Sequence, residues 1–536
     1  MRPPFARTMF ELVDEQAARY PDGLAVICGG RSITYPALAE RARRAAALLR
    51  ARGVQRGDRV GLLLNNRAEW LEIAFGAALL GAVLAPLSTW STKAELDYLL
   101  ADSEVSIVIA LARFGREDFA AVLRGMLPEL LSGGRSDRFP RLHTVMLLEG
   151  EAQDGFPDYV AEVAVQAPLD TPPPGEGASA RDDFVILYTS GSTSRPKAIP
   201  LAHYAVVENA FNIGERQGLT PVDRVLLSPP LFWTYGGVNA LPATFTHGAT
   251  LVLQARFEAG EALNLIEQHR CTSLYTLPGM TDAMVRHAEF RPERTASLRR
   301  GMTIGSTQDV VKAANILGAR DICNIYGSSE TGGNCCVTQH DWPLEHRASS
   351  QGHPLPGVEM RIVSAETGQP VTAGEAGVAE VRGPYVMRGY VGGSAQHNAS
   401  VFTADGWFRT GDVGLMTPQG EFTFLGRDNE MIKRAGINVS PAEVEDVLMQ
   451  HAGVAQAGVV GVPSAERGEL IVAFVVPKAG AALDSSMLVE HCRAVASSYK
   501  VPDRFEILEA LPTTVTGKLM RRELKTAAAS LVSAEA

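Results

Sequence analysis

Short apolar runs alternate along this chain with longer stretches in which apolar residues recur every three or four positions. "RVGLLLNN" (59–66) reads as a buried strand, and "AEWLEIAFGAALLG" (68–81) as the helix that follows it. "VSIVIA" (105–110) and "FVILY" (184–188) are strand-like, and "AHYAVVENAFNIGERQ" (202–217) has helical spacing. "RVLLSPP", "ATLVLQ", "TSLYTLP" and "DICNIYG" are further short strands with helices between them. This alternation predicts a layered α/β fold with mostly parallel sheets. The run "IAFGAALLGAVLAPL" (73–87) is apolar but short for a membrane span and broken by glycines. It predicts a buried helix running into a strand.

The pattern changes twice. The segment 171–183, "TPPPGEGASARDD", is a loop by its Pro, Gly and Ala content. From about Gly357 to Leu425, "VEMRIVS", "GVAEVRGP" and "EFTFLG" are strands joined by Gly-rich turns, which predicts a small antiparallel unit within the large N-terminal domain. After "GRDNEMIKRAG" (426–436), Ser440-Pro-Ala-Glu443 reads as a capping box with Pro at the first helical position. The helix "PAEVEDVLMQH", the strands "VAQAGVVGV" and "LIVAFVVP", and a helix through "MLVEHCRAVASSY" then predict a small α+β C-terminal domain. The domains are accordingly set at 1–428 and 429–536.

Bulk properties narrow the picture. A chain of 536 residues is too long for a single core. Hydrophobic residues make up 46% and mean hydropathy is +0.01, values of a soluble globular protein. A formal charge of −10 gives no general drive toward nucleic acid or anionic membrane, so any phosphate binding must be local. Six cysteines, with Cys335 and Cys336 adjacent, have neither zinc-site spacing nor a disulfide framework. The segment "MRPPFARTMFELVDEQ" has no apolar signal core. Both features point to a reducing, cytoplasmic setting.

The candidate chemistry begins at "LYTSGSTSRPKAIPLAH" (187–203). Thr189, Ser190, Ser192, Thr193 and Ser194 supply hydroxyls, Gly191 permits close backbone approach, and Lys197 adds positive charge. A helix starting near Leu201 would add its N-terminal dipole. The combination suits a polyphosphate; the alternative is a solvated Ser/Thr turn. It does not match the G-x-x-x-x-G-K-[ST] phosphate loop. In "YGSSETGG" (326–333), Glu330 could hold a magnesium ion that bridges phosphates. In "GWFRTGD", Asp412 could accept two ribose hydroxyls. "GRDNEMIKRAG" offers Arg427 and Lys433, and "PTTVTGKLMRREL" offers Lys518. Taken singly, Asp412 is also readable as a turn cap, Arg427 as a surface charge and Lys518 as a solvated lysine.

In their order and wording, from "ITYPALAERA" to "GKLMRREL", these motifs resemble the adenylate-forming superfamily of acyl-CoA synthetases, peptide-synthetase adenylation domains and luciferases. The resemblance implies ATP- and Mg²⁺-dependent joining of a carboxylic acid to AMP, with release of pyrophosphate and transfer of the acyl group to a thiol. It implies that residues 189–197 cradle the β- and γ-phosphates, with Thr193 at a hydroxyl position of that loop. Glu330 would hold Mg²⁺, and Ser329 would face the α-phosphate. Tyr326 would stack on adenine beside Gly327, and Gly305 and Ser306 would line the nucleotide and acyl pocket. Asp412 and Arg427 would reach the ribose, and Lys518 would bridge carboxylate and α-phosphate. The C-terminal domain would be mobile, pivoting at Asn429 to exchange Lys518 for a thiol-tunnel face around Lys433 and Gly436.

The chain departs from that pattern in three places. Ser194 and Ala198 stand where the loop usually has glycine, and either would cost about 1 kcal/mol or more if its φ were positive. Asn429 replaces the usual Lys or Asp of the hinge. Trp233 stands where many relatives have His, at the gate between acyl pocket and thiol tunnel. Peptide-synthetase domains that act on amino acids usually carry an aspartate in the segment that matches "LFWTYGGVN", to pair the α-ammonium; none is present here, so the resemblance implies an acid without an α-amine. Trp233, Tyr235, Gly236 and Gly237 read as an apolar pocket for an aryl, alicyclic or medium-chain acid, or else as core packing. Coenzyme A is the expected acceptor. A carrier-protein thiol is the alternative, and luciferase-like oxidation or a non-catalytic nucleotide-binding protein are more distant ones. A monomer or homodimer is expected.

Overall fold

A computed structural model describes residues 3–151, 154–170, 177–189, 196–393, 395–434, 437–464, 468–496, 500–514 and 519–533. The apolar runs become the strands of two large sheets. One has six strands in the order Lys197–Ala202, Asp183–Thr189, Val83–Pro86, Arg59–Leu63, Ile107–Leu111 and Thr144–Leu148. All its pairings are parallel except the first, a hairpin. The other has nine strands, and its centre runs parallel through Asp321–Ser328, Arg300–Thr303, Ser273–Tyr275, Arg224–Leu227, Thr250–Leu253 and Leu24–Cys28. Strands covered on both faces must be apolar throughout, and Ile107–Leu111 is buried at every position.

The run 73–87 is the expected helix and strand. Helix Ala68–Leu80 is almost wholly buried and stops at Gly81, whose φ of +70° only glycine adopts without strain. Among the described residues no helix is long and apolar enough to cross a membrane.

The small antiparallel unit consists of Glu359–Val363, Gly377–Arg382, Phe408–Met416 and Phe422–Arg427. The turn Asp428–Glu430 leads from it into a five-stranded C-terminal sheet with its own core around Ile432, Val459, Ile471 and Val475. Helices Pro441–Met449, Ser485–Val495 and Arg521–Ser533 complete this smaller domain. A large α/β domain followed by a smaller α+β domain is the architecture the pattern predicts.

Three local expectations are corrected. The helix after the hydroxyl-rich loop begins at His203, because strand Lys197–Ala202 intervenes. Its Pro200 is tolerated because this strand is at the sheet edge. Only half of the capping box at Ser440 forms. The Glu443 N–H donates to Ser440 Oγ at 3.3 Å, but the Glu443 carboxylate pairs with Lys500 at 3.0 Å. The Ser440 hydroxyl donates instead to the Leu425 carbonyl, tying the first C-terminal helix to the last strand before the turn. The helix through "MLVEHCRAVASSY" ends at Val495, with Ala496 extended. Ala198 carries no strain, since among the described residues only Glu104, Glu149 and Arg270 are non-glycine positions at positive φ. Ser194 lies outside the described residues.

Candidate active site

The hairpin Phe408–Met416/Phe422–Arg427 sets Asp412 opposite Arg427. Arg427 Nε lies 2.8 Å from Asp412 Oδ1, and the Tyr326 hydroxyl donates to Asp412 Oδ2 at 2.7 Å. The Asp412 N–H is fixed by Thr410 Oγ1 at 3.0 Å. Asp412 is 3% exposed, a burial that a carboxylate sustains only with such partners. Tyr326 comes from the end of strand Asp321–Ser328 and packs on Phe422 and Phe424 at ring separations of 4.5 and 5.8 Å. Burial, and then the Asp412 charge, push its phenol well above the usual range, so it stays a donor. Tyr326 is buried, and what it visibly commits is its hydroxyl rather than an open ring face.

Gly327 is required by contact, because a Cβ there would strike the Gly333 carbonyl. At Gly305 a Cβ would come within 2.6 Å of Asp309 Oδ2. Ser306 caps helix Thr307–Asn315 in a reciprocal box with Asp309, its Oγ donating to Oδ2 at 2.8 Å. Gly305 and Ser306 thus form a tight strand-to-helix corner.

Chain continuity carries Tyr326 into a second cluster. Ser329 and Glu330 occupy the single 3₁₀ turn Ser329–Thr331, and Ser329 shares a short hydrogen bond with Thr234. Met387 N–H donates to the Glu330 carbonyl at 2.8 Å, and Tyr390 OH donates to Glu330 Oε1 at 3.0 Å. Lys197 Nζ sits 4.9 Å from the centre of the Tyr390 ring. Burial and the Glu330 charge push the Tyr390 phenol upward. Among the described residues no three His, Cys, Asp or Glu side chains gather as a metal cage. A lone carboxylate fits a magnesium ion shared with phosphate oxygens, and does not fit an all-protein site.

Helix Lys93–Ser103 clamps the neck of the hydroxyl-rich loop: Tyr188 OH donates to Asp102 Oδ2 at 2.9 Å, and Tyr98 OH to the Pro196 carbonyl at 3.1 Å. Ser190, Gly191, Ser192, Thr193, Gly436 and Lys518 lie outside the described residues, as do the side chains of Thr189, Asn429 and Lys433.

Trp233 precedes the π-helix Thr234–Ala240. Leu241 N–H reaches back to the Gly236 carbonyl, a widened turn matched to Pro242, which has no N–H to continue a regular ladder. A Cβ on Gly236 or Gly237 would strike the Pro230 or Leu231 carbonyl. These glycines therefore serve close packing. Tyr235 OH donates to Thr276 O at 3.3 Å, and its ring lies edge-on to Tyr275. Of the four expected pocket residues, only Trp233 lines the adjoining cavity of about 340 Å³, whose walls include Asn66, Trp90, Phe232, Phe257 and Met280. Asn66 braces one wall: its Oδ1 accepts from Leu231 N–H at 2.7 Å, and its Nδ2 donates to Pro229 O at 3.0 Å.

Trp90 and Tyr390 are two residues of these clusters with little signal in the sequence. Trp90 is 45% exposed and meets Trp233 edge-on at 5.0 Å. An aromatic beside the end of an apolar strand is the one signal "STWST" carries. Tyr390 has no local signal, because the partners of its side chain, Glu330 and Lys197, lie far away in sequence.

Tyr326, Ser329 and Glu330 stand at the carboxyl end of a parallel strand, where open α/β sheets bind their ligands. With a buried carboxylate on one side and a lysine on the other, the class defined is a two-domain nucleotide-using enzyme. The chain belongs to the AMP-binding enzyme family, whose model matches residues 13–391, and the AMP-binding enzyme C-terminal domain matches residues 443–518. It is similar to the feruloyl-CoA synthase of Amycolatopsis sp, 34% identical over 95% of this chain and 97% of the relative. It is also similar to the mitochondrial medium-chain acyl-CoA ligase ACSF2 of Mus musculus, 30% identical over 97% and 87%. Among solved structures, the anthranilate CoA ligase AuaEII in complex with anthranoyl-AMP superposes with a TM-score of 0.87, at 26% identity over 99% of both chains.

Proposed function

We propose that this protein activates a carboxylic acid with ATP and passes the acyl group to the thiol of coenzyme A. The carboxylate oxygen attacks the α-phosphorus, the bond to the β-phosphate oxygen breaks, and pyrophosphate leaves. The thiol sulfur then attacks the acyl carbon and loses its proton, and the acyl C–O bond breaks to release AMP. Adenylation makes this possible because AMP is a far better leaving group than carboxylate oxygen.

One observation carries the reading. A paired, buried carboxylate suited to a diol, Asp412, and a carboxylate with a nearby lysine suited to metal-bound phosphate, Glu330 with Lys197, are joined by five consecutive residues, 326–330. Asp412 would accept the ribose hydroxyls, oriented by Tyr326 and Arg427. Lys197 and the loop 189–197 would face the outer phosphates. Glu330 would hold Mg²⁺, which when bound offsets phosphate charge. Ser329 and Lys518 would stabilise charge at the α-phosphate, where it builds as the acid attacks. With the boundary at 428/429, the C-terminal domain would pivot near Asn429 and present Lys433 and Gly436 for thioester formation.

The named relatives use aromatic and medium-chain acids, and the aromatic walls beside Trp233 support an aryl, alicyclic or medium-chain acid here. All six cysteines are free and buried, which supports a reducing, cytoplasmic setting. We place the enzyme there as a monomer or homodimer. The test is pyrophosphate release across a panel of such acids, followed by product analysis with coenzyme A and with a carrier protein as acceptor. Acid-dependent release with a coenzyme A thioester is expected. Acyl transfer only to the carrier protein would replace the acceptor, and acid-independent turnover would overturn the reading.

A further inference from the structure

Three elements meet where the outer phosphates of ATP would lie. Lys197 opens one edge strand, Glu330 sits in a 3₁₀ turn, and Tyr390 arrives on the segment 384–391 that follows the strand Gly377–Arg382. That segment is tied to both others by its backbone. Met387 N–H donates to the Glu330 carbonyl at 2.8 Å, and Val391 N–H donates to the Ala198 carbonyl at 3.0 Å. Tyr390 is itself pinned on both sides by Asn398, which accepts from its N–H at 2.8 Å and donates to its carbonyl at 3.1 Å. The residue is 8% exposed.

The side chain then makes two different contacts. Its hydroxyl donates to Glu330 Oε1 at 3.0 Å, and its ring carries the Lys197 ammonium at 4.9 Å. Among the described residues Lys197 forms no ion pair, although Glu330 is reached through the same tyrosine. A direct Lys197–Glu330 pair would commit to each other the two charges that metal-bound triphosphate needs. A ring face attracts an ammonium through its quadrupole without supplying an anion to pair with it. A phenol hydrogen bond orients a carboxylate without neutralising it.

Building on the ATP-binding reading above, we infer that Tyr390 is a positioning residue that orients Glu330 toward Mg²⁺ and holds Lys197 beside it unpaired, so that the site receives metal-bound ATP with both charges available. It touches neither metal nor nucleotide. Its two contacts are separable: Tyr390→Phe keeps the ring and deletes the hydroxyl, and Tyr390→Leu deletes both.

The experiment is calorimetric titration of the full-length protein with ATP and no acid, once in Mg²⁺ and once in EDTA, for wild type and both variants, with thermal melts to confirm folding. Tyr390→Phe should weaken ATP binding about tenfold in Mg²⁺ and leave binding in EDTA unchanged. Tyr390→Leu should weaken binding in both, because Lys197 is released as well. Equal affinity of Tyr390→Phe and wild type in both media would reduce Tyr390 to packing. So would an equal loss in both, the signature of general damage. Wild-type binding indifferent to Mg²⁺ would overturn the inference through Glu330 while leaving nucleotide use intact. Wild type that binds no ATP in either medium would instead defeat the proposed function on which the inference rests.

Discussion

The Asp412 and Glu330 clusters hold their carboxylates in opposite ways. Asp412 is buried, with Tyr326 on one oxygen and Arg427 beside the other. Glu330 receives one hydroxyl on one oxygen, and Lys197 rests on the ring of the tyrosine that supplies it. The difference follows from what each end would meet. A ribose diol is neutral and competes weakly, so its acceptor must be oriented beforehand. Triphosphate with its metal brings strong charge of its own, so that end gains by leaving lysine and carboxylate available. On the proposed function, one end would be assembled before the ligand arrives, and the other would be completed by it.

The largest expected effect belongs to neither end. If Lys518 serves the α-phosphate between them, Lys518→Ala should slow adenylate formation by roughly 10²–10³-fold. Thioester formation from supplied acyl-adenylate should be nearly unchanged. Rapid-quench measurement of each half-reaction checks this, and equal losses in both would remove Lys518 from the adenylation step.

Next comes the preassembled end. Asp412→Asn keeps the shape but weakens two charge-assisted contacts, at a cost of about 1.5–3 kcal/mol in ATP recognition. Because that end does not depend on metal, the loss should be the same in Mg²⁺ and in EDTA. A loss confined to Mg²⁺ would erase the distinction between the clusters.

Acid should strain the scaffold behind Lys197. His203 begins the helix that follows strand Lys197–Ala202, lies 5.3 Å from the Phe184 ring and accepts the Met9 N–H at 3.2 Å. Burial, opposed weakly by Asp182, depresses its pKa to about 4. A histidine kept neutral in the fold contributes stability that is complete above its ordinary pKa and is lost as pH falls toward the depressed one. Between about pH 6.5 and 5 the loss is at most about 2 kcal/mol. Denaturation midpoints across this range should fall for wild type, and His203→Gln should flatten that slope. An unchanged slope would place the acid sensitivity elsewhere.

The smallest effect is expected at the Trp90–Trp233 contact. An edge-to-face pair is worth about 0.5–1.5 kcal/mol, so Trp90→Ala should lower kcat/KM for the best acid severalfold and leave ATP affinity unchanged. Measuring adenylation and thiol transfer separately tells whether this pair bounds the acid or the path of the thiol. Unaltered rates in both would make Trp90 a surface residue.

Much of this molecule is legible in its sequence where the signal is local. Apolar runs such as "RVGLLLNN" and "FVILY" become strands, and the run 73–87 becomes helix and strand. Asp412, Arg427 and Glu330 stand out by motif, but their mutual arrangement does not. That Arg427 faces Asp412 follows from a hairpin register, and that Tyr326 reaches Asp412 follows from the packing of two sheets. Strand Lys197–Ala202 was hidden because its pairing with Asp183–Thr189 outweighs the local preference of a Pro-containing segment. For Gly236 and Gly237 the sequence leaves pocket wall and core packing both open, and only the fold shows that they let a π-turn press on backbone carbonyls. Tyr390 was hidden most completely, since it acts only through elements far away in sequence.

The central claim is that the acid's own oxygen attacks the α-phosphorus. It is tested most directly with a carboxylate labelled at both oxygens with ¹⁸O, incubated with ATP, Mg²⁺, coenzyme A and the protein. One labelled oxygen should remain on phosphorus when the thiol displaces AMP, so the released AMP should gain the mass of one ¹⁸O and pyrophosphate should gain none. Label in inorganic phosphate with formation of ADP, or AMP without label, would contradict the account.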